Sequence, residues 1–209
     1  QVNVKGDGLL NVVIINAAKL SRTYYAGAYD PENPTPPACW SPDTQTPSKD
    51  VPADTRQASR CMDCPQNIKG SGQGESRACR YNQRVAVLLE GEYDTVYQLQ
   101  LPATSIFSEA KDGKMGMQAY AKYLKAHKTS SIAVLTQMYF DENSDTPKLF
   151  FKPVRPLTEE ELNQAVSMKD SDDAIKAITL TVSQTDKVET KRNGSDRKST
   201  RLNSSNTVI

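Results

Sequence analysis

All four cysteines of the chain fall between Cys39 and Cys79, and this cluster constrains the fold more than any other feature. Cys61-Met62-Asp63-Cys64-Pro65 is a tight Cys-x-x-Cys knuckle, flanked at a distance by Cys39 in Cys39-Trp40-Ser41 and Cys79 in Arg77-Ala78-Cys79-Arg80. Four thiolates are the number a tetrahedral structural zinc requires. The stretch between them is polar and rich in Pro, Gly and Ser, with too little apolar material to fold unaided. Zinc held by Cys39, Cys61, Cys64 and Cys79 is the expectation. Two disulfides, which an oxidising compartment would produce, and four unrelated thiols are the alternatives.

The rest of the chain is an ordinary soluble sequence of 209 residues, 24% charged and 37% hydrophobic, enough for one modest core. It has no signal peptide and no apolar run long enough for a membrane span. Formal net charge is +1, so any nucleic-acid contact has to come from a local patch. Residues 196–205 read as translated sequencing adapter, and with the missing initiator Met they point to a fragment open at both ends. Asp196 stands there against Arg197, Lys198 and Arg201, so the remainder of the chain is close to neutral.

Taken in order, Leu9 to Ile15 is a short β-branched apolar run and reads as a buried strand. Arg22, Tyr24, Tyr25 and Tyr29 follow, and Pro31, Pro34, Pro36 and Pro37 then forbid regular structure up to Cys39. Lys69 to Glu75 is a glycine-rich connector without the Lys-Ser/Thr ending of a phosphate loop. Val85 to Leu89 is a second buried strand, Gly91 to Asp94 a turn, and Tyr97, Leu99 and Leu101 alternate with glutamines as a strand with one wet face. Met117, Tyr120, Ala121 and Leu124 recur at helical spacing, with Lys122 and Lys125 outward. Ile132–Phe140 and Leu149–Lys152 predict a hairpin joined by the Asp141–Lys148 loop. Thr158 and Glu161 form a capping box, with Leu157 and Leu162 as its staple. Ser171 caps a further helix whose buried side is expected to be Ile175 and Ile178.

This order predicts a mostly β fold with minor α: an OB-like, five-stranded antiparallel barrel with a zinc-bearing loop insertion and C-terminal helices. An open antiparallel sheet with helices on one side is the alternative. The expected organisation is a core over 1–156 with the insertion at about 31–84, a helical extension over 157–183, and a disordered tail over 184–209 that is non-native from 196.

Single strands are gripped by basic side chains tracking phosphates and by aromatic faces stacking on bases. Arg and Tyr interleave twice, at Arg22, Tyr24 and Tyr25 and at Arg77, Arg80, Tyr81 and Arg84. These seven are the candidate nucleic-acid contacts, set against half-buried tyrosine packing and solvated arginines. No enzyme is expected. His127, the only histidine, sits at a predicted helix C-terminus without a nucleophile beside it. Asp141, Glu142 and Asp145 lack a calcium-loop pattern.

The runs Ser21-Arg22-Thr23-Tyr24-Tyr25, Cys39-Trp40-Ser41, Cys61-Met62-Asp63-Cys64-Pro65-Gln66-Asn67, Gly70-Ser71-Gly72, Ala78-Cys79-Arg80, Leu101-Pro102-Ala103-Thr104-Ser105-Ile106-Phe107, Gln118-Ala119-Tyr120 and Leu149-Phe150-Phe151-Lys152-Pro153-Val154-Arg155 resemble a family of tailed-phage proteins. The resemblance covers roughly residues 10–165. It implies sequence-independent single-stranded DNA binding in phage replication or recombination, inside the host cytoplasm. The implied partners are single-stranded DNA and phage replication proteins, with no membrane and no small-molecule substrate. In architecture the expected core is similar to the single-stranded DNA-binding proteins of large phages. Their ligand set, one histidine and three cysteines, departs from the four cysteines here. A zinc-stabilised protein-interaction module acting on host polymerase or a virion partner is the other function class.

Overall fold

A computed structural model describes residues 9–27, 35–141, 144, 146 and 148–180. The tail, Tyr29, Pro31, Pro34, Glu142 and Asp145 lie outside the described residues. The described residues form seven strands: β1 (Leu9–Ala17), β2 (Ser21–Tyr24), β3 (Cys39–Ser41), β4 (Cys79–Leu89), β5 (Glu92–Pro102), β6 (Val134–Phe140) and β7 (Leu149–Pro156). Its helices are α1 (Ala103–Phe107), α2 (Met117–Ala126), α3 (Glu159–Lys169) and α4 (Asp172–Ile178).

All strand pairs are antiparallel, and β4 is the organising strand. One edge of β4 pairs with β5 along most of its length. Its other edge is shared: Cys79–Asn82 pair with β2, and Val85–Leu89 pair with β1. The sheet continues from β1 to β6 and β7, and from β2 to β3. The expected closed five-stranded barrel is therefore corrected. The sheet has seven strands and is open, with no ladder joining β5 to β7. The two extra strands, β2 and β3, flank the proline stretch, where no strand is expected; they are short, and β2 is held extended by pairing to β4 and β3 by pairing to β2.

The apolar runs of β1 and β4 are continuous because both faces of the sheet are covered. On one face Val12, Ile14, Val85, Val87, Leu99, Leu101 and Phe151 pack against Ile106 of α1 and Met117, Tyr120 and Leu124 of α2. On the other, Val13, Ile15, Ala86, Leu88 and Leu135 pack against Ala165 of α3 and Ala174 and Ala177 of α4. The C-terminal helices thus cover one face of the sheet.

Local signals placed most boundaries. Thr158 and Glu161 make the reciprocal capping box that starts α3, and Ser171 Oγ accepts from Ala174 N to start α4. Gly116 starts α2 because any Cβ there would meet the Ser108 backbone at 2.6 Å. Two side-chain assignments are corrected. Ala121 is exposed on α2. Ile175 is 50% exposed on α4, where Ala174 and Ala177 face the sheet instead. Small residues allow α4 to lie close to the strands, and the bulky isoleucine is turned away.

Candidate metal centre and nucleic-acid interface

Strand register builds the first half of the cysteine site. Tyr24 on β2 is opposite Cys39 on β3 and opposite Cys79 on β4, so all three side chains share one row of one face. Two strand spacings put the Cys39 and Cys79 backbones about 10 Å apart, too far for a disulfide between them. The knuckle supplies the second half. Two short 3-10 turns, Cys61–Asp63 and Pro65–Asn67, carry Cys61 and Cys64 over that row. The loop is tied down by backbone bonds from Ser48 N to Trp40 O and from Cys61 N to Gln45 O, both 2.8 Å. Asp43 holds the turn between them, accepting from Gln45 N, Thr46 N and Ser41 Oγ. These bonds keep its carboxyl below the usual range, the Gln45 N–H contributing most.

All four cysteines are buried, unpaired as disulfides, and line one cavity with Tyr24, Trp40 and Ser41. Burial pushes the Cys79 thiol up to about 11 and raises Cys61 as well, with the Arg22 charge opposing both. Cys61 feels the charges of Cys39 and Cys64, and Cys79 those of Cys64 and Cys61. Among the described residues, however, no three His, Cys, Asp or Glu side chains stand together as a group able to hold a metal ion. The common cavity defines a neighbourhood. The donor chemistry fits a structural metal: four soft thiols, none solvent-facing, with no place left for a catalytic water.

Arg22 belongs to this site. It is 5% exposed, its guanidinium lies 3.8 Å from the Tyr81 ring centroid, and its Nη1 donates to Asn67 Oδ1. Asn67 Nδ2 in turn donates to Cys61 O at 2.9 Å, and Asn67 N to Cys64 O at 2.9 Å. The Arg22 charge also favours the Cys79 thiolate, against the effect of burial. One buried cation therefore lies close to a strand cysteine and, through one asparagine, is tied to the backbones of both knuckle cysteines. Asn67 was given no role in the sequence reading. Its role arises from contacts forty-five positions away, and no local pattern marks it.

The seven candidate nucleic-acid residues divide. Arg77 and Arg80 are exposed, with Arg77 Nε donating to Asn67 O at 2.7 Å. Tyr25 is exposed, and Tyr24 is half-buried against the cysteine cavity. Tyr81 is half-buried, with Arg22 over its face and Phe107 at 5.2 Å in an edge-on contact. Arg22 and Arg84 are buried, which corrects their placement on a phosphate-tracking surface. Arg84 is 1% exposed, on the side of β4 that carries Ala86 and Leu88, and none of its three guanidinium nitrogens has a hydrogen-bond partner. Burial pushes its guanidinium down, with Tyr25 opposing.

Other candidates resolve simply. In the glycine-rich loop, Gly70 N and Gly72 N both donate to Ser76 O, so those amides are used within the connector. His127 is exposed at the end of α2, its ring against Tyr123 and its Nδ1 on Tyr123 O at 2.9 Å. No described helix is long and apolar enough to cross a membrane. No family model, curated protein or solved structure matches the chain.

Proposed function

We propose that this chain binds single-stranded DNA without strong sequence preference, and that Cys39, Cys61, Cys64 and Cys79 hold a structural zinc that shapes one edge of the binding surface. Strand order is the observation that carries it. Five strands run β5, β4, β1, β6, β7, with α1 and α2 between β5 and β6. That is the order of an OB barrel left open between its third and fifth strands, a fold that grips oligonucleotides with its first and last inter-strand loops. Here the first of those loops is the cysteine segment, and exposed Arg77 and Arg80 stand where it rejoins the sheet. Zinc would fix the path of that loop, and Arg77, Arg80 and Tyr25 would supply charge and a stacking face. The phage setting, the host cytoplasm and the replication partners rest on the sequence resemblance alone.

A protein-interaction role is the second reading, favoured by Met62 and Ile68, 79% and 63% exposed on the cysteine loop. Gel shifts of the full chain with oligo-dT and with duplex at two salt concentrations separate the two. Salt-sensitive binding to oligo-dT is expected, and Arg80→Ala should lower the salt slope by about 0.7. Preference for duplex, or capture of a host protein without DNA affinity, would replace the first reading with the second.

A further inference from the structure

We propose that the face of the β6–β7 hairpin bearing Tyr139 and Phe150 is a second contact surface for single-stranded nucleic acid, with bases on the two rings and phosphates on Lys114 and Lys152. It rests on the strand-binding reading above and adds a surface distinct from the cysteine loop. Tyr139 and Phe150 are direct cross-strand partners, so their rings share one face. Each ring has an ammonium over it: Lys114 at 4.5 Å from the Tyr139 centroid and Lys148 at 4.7 Å from Phe150. The next row on the same face pairs Gln137 with Lys152, and Gln137 accepts from the Tyr139 hydroxyl.

The platform is reached from solvent when the flexible lysines swing off the rings. Both rings are half-buried, and Lys114 and Lys152 are exposed. The core cluster under α3 and α4 includes Leu135 but neither ring. Lys114 is held at the β7 edge because Met115 exchanges backbone hydrogen bonds with Phe151, at 2.8 and 3.0 Å.

Flat rings alternating with cations match a stacked, polyanionic strand. An acidic peptide would use the lysines but has no need of paired rings. Lys148 is partly committed, since it pairs with Asp141 at 3.3 Å. Lys114 and Lys152 therefore carry the phosphate contacts. The sequence hides this surface because only the register joins Lys114, Tyr139 and Phe150.

The test uses the full chain and fluorescence anisotropy with labelled oligo-dT at several salt concentrations. Tyr139→Ala is expected to weaken binding roughly 5- to 150-fold at unchanged salt slope. Lys114→Ala and Lys152→Ala should each lower the slope by about 0.7. Lys122→Ala, an exposed lysine on α2 with no ring beneath it, serves as the charge control. Wild-type binding with all three platform variants unchanged overturns this surface and leaves the strand-binding reading standing. A Lys122→Ala effect equal to that of Lys152→Ala overturns it too, since net charge would then explain the loss. No binding by the wild-type chain removes both. Should Tyr139→Ala fail to fold, Phe150→Trp decides, read against the parent, whose one tryptophan is Trp40: quenching by oligo-dT beyond that of the parent supports the platform, and quenching no greater than the parent's overturns it.

Discussion

Arg22 on β2 and Tyr81 on β4 are cross-strand partners, and the guanidinium of one covers the ring of the other at 3.8 Å. The pair sets the Arg22 charge beside Cys61 and Cys79. Arg22→Met removes a cation–π contact and the charged bond to Asn67 together. A loss of about 2 to 4 kcal/mol in urea unfolding is expected. A variant as stable as the parent would show that the buried charge costs as much as its contacts return.

Metal analysis of protein purified from a reducing cytosol is expected to give about one zinc per chain by ligand count. Cys79→Ser should lose it, and a strong chelator should lower the melting temperature of the parent but not of that variant. Recovery of two disulfides and no metal would end the zinc assignment.

Leu124 is buried between α2 and the sheet, while Lys122 two positions earlier is exposed. Leu124→Ala is expected to cost about 2 to 5 kcal/mol. Lys122→Ala and Ala121→Gln are expected to stay within about 0.5 kcal/mol. Equal sensitivity at all three positions would contradict the helix face.

Glu161 joins α3 to the sheet. Its carboxylate takes both Nη atoms of Arg155 at 2.7 and 2.8 Å, the Thr158 N–H at 2.8 Å and the Tyr93 hydroxyl at 2.9 Å. Arg155 first, then Thr158, hold this acid well below the usual carboxylate range. A depressed folded-state value means the stabilisation is present above the unfolded value of about 4.3 and fades as pH falls through the folded one. Glu161→Gln is expected to be less stable than the parent at pH 7 and to lose less between pH 5 and pH 2. Parallel stability curves for the two proteins would refute this.

Arg84 has a buried guanidinium without hydrogen-bond partners, so its burial carries a desolvation cost. Arg84→Met keeps the side-chain length and removes the charge. It is expected to be neutral or to raise the melting temperature. A marked drop would show that an anion compensates Arg84 in solution.

How much of this was legible depended on the range of the interaction. The Thr158–Glu161 box and the Met117–Ala126 helix were readable because their determinants lie within one or two turns. The runs Val12–Ile15 and Val85–Leu88 were readable as strands, but not the reason for their continuity, which is a helix pair on each face. Arg22 and Arg84 look like surface cations in any local window. Only the register with Tyr81 buries the first, and only the position of β4 between β1 and β5 buries the second. Hydrophobicity alone puts Ile175 in the core, whereas close approach of α4 selects Ala174 and Ala177. The cysteine spacing named a neighbourhood correctly, but the relative aim of the four sulfurs is set by turns that the spacing does not encode.

Because β4 runs unbroken from Cys79 to Leu89, its two halves belong to different regimes of local opening. Val85–Leu88 lie between two helical layers, and their amides should exchange with solvent only when the whole molecule opens. Cys79–Asn82 lean on two short strands and a polar loop, so their protection is set by whatever holds the thiols. A single strand thus reports both events. Protection from hydrogen exchange along it would fall off toward Cys79 when the thiols are left without metal and level out when they are engaged, giving a direct readout of occupancy.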